Sequence, residues 1–580
     1  MFLHPPAVYD FRKRPFFPGP VAETVAHYTS VLIAIPVGVV SMADQLDRNG
    51  YKVKIYNLGE LMLMDEELDI ESFLRKTKAK AYAIDLHWCA HSQGAVEIAK
   101  ICKKVHPDST VVVGGLTATR FDDELVRKYP FVDIVLRGES EESVVKLAED
   151  LDRGRTFEEV PNATFRKSDG SIQINRILRP CEDLDSYNFS RLDLIEPKAA
   201  MLVSSTGLST WITPVCRGCT YNCVSCGGSR YSYRVLFGRE KPAFRSPEKI
   251  VEDLTSLREQ GVDAVFLFQD PRLGGNTYWT ELASALKKER TDLKQLGIEL
   301  FEPANEEFVR AFASTGIPII MNISPESAVE KARESHGRVY SNEALLKTVE
   351  YCHGNKVRLS IFFMIGLAGE TSETFEETLR FCEKLYRLDS DWRSSDEEQF
   401  IGSLWFKPKI GSMILLDPGS LAFDYPERFG YRLRFQCFED YYLGLSMPSW
   451  HQWVSYETSY LTRQDLCELT LNSLEHLLDL DEKYGLHTSP EEISRLNFER
   501  FRKSLDRFLV NEVETISLSL SEDKCSQLGS LKEVVDTYLD LGPWSKSAMA
   551  LTEDEYGYST RINELLHNSM GLVGYSLPHL

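Results

Sequence analysis

Short apolar runs recur along the first part of the chain, each followed by a stretch with helical spacing. Val31-Leu-Ile-Ala-Ile35 is continuous and apolar, the pattern of a strand buried on both faces. A helical stretch from Ser41 to Arg48 ends at Asn49-Gly50, a C-cap signal. Further strands are read at Lys52–Tyr56, Ala81–Leu86, Thr110–Val113 and Asp133–Leu136, with a helix from His91 to Val105. Strand and helix in alternation predict a doubly wound parallel α/β sheet over residues 1–150. Such sheets bind ligands at the carboxyl ends of their strands.

A connector over 151–200 follows, with a hairpin at Ala163–Arg166 and Ser171–Ile174 and no chemistry of its own. Alternation resumes over 201–400. Strands are read at Leu208–Ile212, Val265–Phe268, Ile298–Phe301, Ile317–Met321 and Leu359–Ile365. Ser246-Pro247-Glu248 opens a helix that runs to Gly261. About six such units predict an open, TIM-like (βα)6 barrel, whose active site lies at the strand carboxyl ends. Polar residues cluster at those ends: Gln269, Asp270, Glu302, Asn322, Ser324, Glu326 and the segment Gly366–Glu370. Asp270 and Glu302 also suit the caps of following helices. Residues 401–580 read as a mainly helical domain that caps the barrel and shapes a substrate pocket. Its apolar stripe is Leu466, Leu469, Leu474 and Leu477.

Length and charge narrow the function. The 580 residues suit three or four domains. Apolar residues make up 43% and charged residues 26%, the balance of a soluble globular protein. A net charge of −21 leaves no basic surplus for a nucleic-acid partner. The longest apolar run, Val31–Val40, contains a proline and is too short to cross a bilayer. The start of the chain lacks the apolar core of a signal peptide. With cysteines scattered outside one cluster, these features predict a cytoplasmic protein in a reducing compartment.

That one cluster sets the chemistry. Four cysteines fall within eleven residues, from Cys216 to Cys226. Cys219, Cys223 and Cys226 are spaced C-x3-C-x2-C, which suits three thiolates on three irons of a [4Fe-4S] cubane with the fourth iron open. Counting from Cys216 reverses the spacing, so Cys216 is read as a spare thiol or plain packing. A structural zinc site would want a second cysteine pair, and a disulfide would leave one thiol over.

The C-x3-C-x2-C loop resembles that of radical S-adenosylmethionine (SAM) enzymes, whose open iron chelates SAM. The aromatic residue that family often has before its last cysteine is Ser225 here. The first domain resembles the cobalamin-binding domain fused to many such enzymes. It has His4-Pro5-Pro6, Gly114-Gly115 with Leu116 and Thr117 after a strand, and Arg137-Gly138-Glu139 before a helix. The resemblance covers residues 1 to about 400 and is greatest to an archaeal and bacterial group of cobalamin-binding radical SAM proteins.

The resemblance implies three cofactors: a [4Fe-4S] cluster on Cys219, Cys223 and Cys226, SAM, and cobalamin. Cobalamin would be contacted by Val37, Gly38, Asp85, Leu86, His87, Gly114, Gly115, Leu116, Thr117, Gly138 and Glu139. The Asp-x-His-x-x-Gly loop that supplies a cobalt ligand in some relatives is missing. His87 instead stands where it would approach the lower face of the ring, its other reading being a hydrogen-bonded histidine at a strand end. For SAM, Gly366, Gly369 and Glu370 would lie near the adenosine. Asn322, Ser324 and Glu326 would face the ribose and methionine, and Arg333 and Arg338 the carboxylate. Trp450, His451, Trp453, Tyr456 and Glu457 are the candidate substrate contacts, of which at least one is expected to line the pocket.

The implied activity is methyl transfer to an unactivated carbon through methylcobalamin and a 5′-deoxyadenosyl radical. The implied partners are an external electron donor such as flavodoxin or ferredoxin, and a substrate that is a peptide, a lipid or a small molecule. The rivals are a cobalamin-binding radical enzyme that cyclises, contracts a ring or oxidises, and a redox or cobalamin sensor without turnover.

Overall fold

The computed structural model describes residues 1–12, 35–65, 67–196, 202–203, 208–289, 291–395, 406–414, 416–447 and 450–484. All of the expected Val31–Ile35 strand except Ile35 lies outside them, as does everything after residue 484.

The first sheet is built from β1 (Phe2–His4), β2 (Ile55–Asn57), β3 (Ala81–Asp85), β4 (Thr110–Gly114), β5 (Ile134–Leu136), β6 (Ala163–Arg166), β7 (Ile172–Ile174) and β8 (Ile195–Glu196). Its order is β7-β6-β5-β4-β3-β1-β2-β8. The strands from β5 through β8 in that order run parallel, and β6 and β7 add antiparallel at one edge. The strand between β3 and β2 is therefore Phe2–His4, not a run near residue 31. Its three side chains are all buried. The connector is not a separate piece either, since it supplies both edges of this sheet.

The second sheet has the order β17-β16-β15-β14-β13-β10-β9. Its strands are β9 (Leu202–Val203), β10 (Ser209–Pro214), β13 (Ala264–Phe268), β14 (Gln295–Leu300), β15 (Ile319–Glu326), β16 (Arg358–Ile365) and β17 (Phe406–Met413). A two-stranded ribbon, β11 (Cys216–Arg217) with β12 (Ala243–Phe244), lies between the first two barrel strands in sequence. Six strands are parallel and β9 is an antiparallel edge, which makes an open barrel. The sixth barrel strand lies beyond residue 400, in the part read as the start of the C-terminal domain.

Alternation along the strands shows which residues face the lumen. In β16 the buried residues Leu359, Ile361, Phe363 and Ile365 face the outer helices, and the partly exposed ones between them face inward. In β15, Asn322 and Ser324 are the inward residues. The Ser246 hydroxyl caps the helix Pro247–Glu259, accepting from the Lys249 N–H.

The C-terminal part divides in two. The helix Arg463–Lys483 packs against β16, β17 and the helix Ser372–Ser395, so its leucine stripe belongs to the barrel's outer layer and does not cover the mouth. The helix Phe438–Ser446 (with Tyr441 and Tyr442) docks on the first domain. Phe438 lies against Phe121 and Tyr129, the Tyr442 hydroxyl donates to Glu97, and Lys128 pairs with Glu439. A final short ribbon is β18 (Tyr431–Leu433) with β19 (Tyr456–Thr458).

Candidate active site

The cluster loop leaves the end of β10 and is held from three directions. Its Val215 N–H donates to Phe268 O of β13, and its Val224 N–H to His336 O in the segment after β15. Gly227 N–H donates to the Asp417 carboxylate after β17. Gly218 has φ +104°, and a Cβ there would lie 2.9 Å from Pro242 Cα, so only glycine fits. Gly337 is likewise forced, with Asn222 O 2.9 Å from its would-be Cβ.

Cys219 and Cys223 are buried and Cys226 is half-buried. Tyr221 N–H points at Cys219 Sγ and Gly228 N–H at Cys226 Sγ, 3.4 and 3.2 Å away. Burial pushes all three thiols up, Cys219 to about 11, so ionising them calls for a compensating cation. Among the described residues no three Cys, His, Asp or Glu side chains converge on a single metal ion. A cubane takes one thiolate per iron, so the trio fits a cluster and not a mononuclear zinc site. Cys216 is buried in β11 with its Sγ toward Gly218 O, which matches its reading as packing.

The barrel lumen opens beside the trio. Strand register puts Glu299, Asn322 and Ser360 at one level. Glu299 was not foreseen, because a lone glutamate in an apolar strand gives no periodic signal. Its carboxylate accepts from Gln269 N–H at 2.7 Å, and burial lifts it to about 7. Gln269 and Glu326 hold positive φ of 78° and 68°, strained for residues with side chains. Glu326 lies 3.5 Å from Arg338, and burial, opposed by that arginine, leaves it at about 7.

Arg338 donates to Phe301 O at 2.8 Å and stays charged although buried. Four polar atoms here are buried with no partner: Gln269 Oε1, Glu326 Oε2, Arg338 Nε and the Tyr340 hydroxyl. Such atoms cost free energy unless a ligand pairs them. An α-amino acid head group offers both an ammonium and a carboxylate, so this set fits SAM.

The remaining SAM candidates divide. Arg333 stands behind the lumen set: its guanidinium donates to Ser327 O and Asn342 Oδ1 and lies over the Tyr340 ring. Glu370 accepts from the Ser327 hydroxyl, and burial lifts it to about 7. Gly366 has φ +95°, and a Cβ there would meet the Tyr456 hydroxyl at 2.3 Å. Gly369 also has positive φ, with nothing near its would-be Cβ. Asp270 is the cap it was read as, accepting from the N–H groups of Arg272 and Phe301.

The five aromatic-region candidates are buried. Trp453 Nε1 donates to Met447 O, His451 Nε2 meets Gln464 Oε1, and Glu457 holds Arg432 and the Arg463 N–H. Trp450 is core. Tyr456, through Gly366, is the one that touches a strand-end loop of the barrel.

In the first domain the expected residues gather at the carboxyl ends of β1, β3 and β4. Asp85 pairs with His4 Nδ1 at 2.9 Å and accepts from His87 N–H. Leu86 is fully buried. Gly114 is tight against Leu136 O, and Gly115, at φ +118°, would place a Cβ 2.6 Å from His87 Cα. The Thr117 hydroxyl donates to His87 O, and the Thr119 hydroxyl donates to Gly115 O and accepts from Gly138 N–H. These hydroxyls tie the turns together instead of facing a ligand. The His87 imidazole makes no hydrogen bond among the described residues, and burial lowers its pKa. His87 and Trp88 stay half-exposed after β3, their rings edge to face with centroids 5.0 Å apart.

Four expected cobalamin contacts have other roles in the structure. Val37 and Gly38 sit in the first turn of the helix Val37–Arg48, and a Cβ on Gly38 would be 3.7 Å from Arg217. The Glu139 carboxylate is held by Arg217 and Arg239. Leu116 packs on the cluster loop, so close that a Cβ on Gly227 would lie 2.4 Å from Leu116 Cδ2.

With this geometry in place, the relatives are informative. Residues 24–148 match the B12 binding domain and residues 213–382 the radical SAM superfamily. An uncharacterised methyltransferase of Pyrococcus horikoshii is 25% identical over 353 residues, 60% of this chain and 73% of that protein. The anaerobic magnesium-protoporphyrin IX monomethyl ester cyclase of Rubrivivax gelatinosus is 23% identical over 369 residues, covering 62% of each. The solved structure of the cobalamin-dependent SAM radical enzyme OxsB, with aqua-cobalamin and SAM bound, has TM-score 0.57 at 13% identity. It covers 99% of this chain and 80% of that one, and the likeness is one of fold.

Proposed function

We propose, from the premise that this chain joins a B12-binding domain to a radical SAM domain, that it transfers a methyl group to an unactivated carbon of its substrate. The observation that supports this reading is the contact of Leu116 with Gly227. It brings the loop after β4 in the first domain against the residue that follows Cys226, so both cofactor sites open onto one gap.

Bound in these sites, the cluster with SAM supplies a 5′-deoxyadenosyl radical and cobalamin supplies a transferable methyl group. Cys219, Cys223 and Cys226 hold the cluster. Arg338 binds the SAM carboxylate through its fork, and Glu326 accepts from the ammonium. Asn322 and Ser324 line the way to the ribose. His87 and Trp88 floor the cobalamin site. An external donor of the flavodoxin or ferredoxin class would supply two electrons per turnover, one to cleave SAM and one to return the cobalt to its methyl-accepting state.

The His87 imidazole, which packs edge to face with Trp88 and makes no hydrogen bond among the described residues, would be the side chain placed to bind cobalt. His87→Ala is expected to remove nitrogen hyperfine splitting from the EPR spectrum of bound cob(II)alamin. An unchanged spectrum removes the ligand role.

The relation to a cyclase favours one alternative, a radical enzyme that binds cobalamin but forms a ring. Anaerobic turnover with a strong reductant and a substrate-bearing extract separates the two. Methyl transfer yields S-adenosylhomocysteine and 5′-deoxyadenosine together, in equal amounts. Deoxyadenosine alone points to the ring-forming reaction.

A further inference from the structure

We propose that Glu139 is a positioning residue: held by Arg239 and Arg217, it fixes the register between the first domain's ligand-end loops and the cluster loop. The inference rests on the two-cofactor reading above, but not on methyl transfer.

Glu139 follows Gly138 at the end of β5, on the edge where the cobalamin site opens. Arg239 grips it with two parallel hydrogen bonds, Nε to Oε1 at 2.6 Å and Nη2 to Oε2 at 2.8 Å. Arg217 approaches Oε2 at 3.3 Å and also pairs with Glu141. Both acids belong to the first domain and both arginines to the second. Arg217 stands two residues before Cys219. Gly218 is the single residue between them, with the Pro242 backbone close against it, and Arg217 is paired with Ala243 in the β11–β12 ribbon. A shift at Arg217 is therefore passed to the first cluster cysteine.

The surroundings make the bridge rigid. The Ser41 hydroxyl donates to Glu141 Oε1 at 2.6 Å, and Cys181 O accepts from Arg239 at 2.8 Å. The rings of Tyr187 and Phe189 lie under Arg217 at 5.5 and 5.2 Å. Glu141 and Arg239 are buried, and the Glu139 and Arg217 side chains are largely covered, Arg217 being the most exposed at 13%.

Two acids against two arginines at a domain boundary are a poor source of adhesion. Their desolvation roughly cancels their attraction, and apolar residues would hold the domains as well. Apolar adhesion is in any case provided elsewhere, by Phe438 on Phe121 and Tyr129. A buried fork adds something that apolar contacts lack: it is satisfied in one register only. Here that register sets the separation between the two cofactor sites.

The test uses the full-length protein reconstituted with iron, sulfide and cobalamin, comparing wild type with Glu139→Gln. Iron and cobalt per chain are measured, then EPR spectra with the cluster reduced and the cobalamin as cob(II)alamin. In wild type the two signals are expected to broaden each other. Glu139→Gln is expected to keep both cofactors but show narrowed, weakly coupled signals.

Loss of cobalt with iron retained would overturn the proposal, making Glu139 a direct cobalamin contact. A variant spectrum identical to wild type would overturn it too. Absence of coupling in wild type would sink both this inference and the shared-gap reading. Should Glu139→Gln not fold, Arg239→Lys keeps the charge, loses the fork and is read by the same criteria.

Discussion

Cys223→Ala is expected to lose the cluster and, with it, all SAM cleavage. Cys223 is the middle ligand of the trio, buried, with Gly337 packed against its Cα. Two thiolates cannot hold a cubane that needs three. Iron per chain should fall to background and the visible absorption of the cluster should vanish. Deoxyadenosine formation should drop by at least about 10³-fold, since enzymatic accelerations begin near 10⁶-fold and the cofactor carries the chemistry. Cobalamin binding should persist, because its site lies on the other sheet. Retained iron and retained cleavage would show that the cluster lies elsewhere.

Arg338→Ala is expected to keep the cluster and lose SAM. Truncating one partner of a buried charge pair costs about 2–5 kcal/mol, or roughly 30- to several-thousand-fold in affinity. Part of that cost appears as Glu326, left buried without its cation. Arg338→Lys should recover only part of the affinity, because an ammonium lacks the fork that matches a carboxylate. The measurement is the dissociation constant of SAM for the reconstituted protein, with iron content as the control for folding. Unchanged SAM affinity in both variants would move the carboxylate site away from Arg338.

Much of the candidate site is legible in the chain because its residues are neighbours in sequence. The cysteine trio needs only its spacing. The turn at Gly114-Gly115 needs only a strand ending in two glycines, and the structure forces Gly115 by its positive φ. The strand-end polar residues follow from alternation, as with Asn322 and Ser324 in β15.

What stayed hidden depends on distant partners or on short elements. Phe2–His4 is too short to announce itself as a strand, and its place in the sheet comes from pairing with β2 and β3. Strand β17 carries Lys407, Pro408 and Lys409, which break an apolar pattern. Glu139 looks like any charge at a helix start, and its partners lie about a hundred residues on in the chain, at Arg217 and Arg239. Arg333 and Arg338 look equivalent in sequence. Only the structure shows that one braces its own loop while the other lies beside Glu326 and the cysteine trio. The leucine stripe from Leu466 to Leu477 is visible as a stripe, but not which layer it packs against.

The most direct test of methyl transfer through cobalamin is the fate of deuterium from methyl-trideuterated SAM in anaerobic turnover. The account predicts a product that gains the methyl group with all three deuterium atoms, and 5′-deoxyadenosine that carries none. Deuterium in the deoxyadenosine would mean that the radical attacks a methyl group and not the substrate, which would contradict the account.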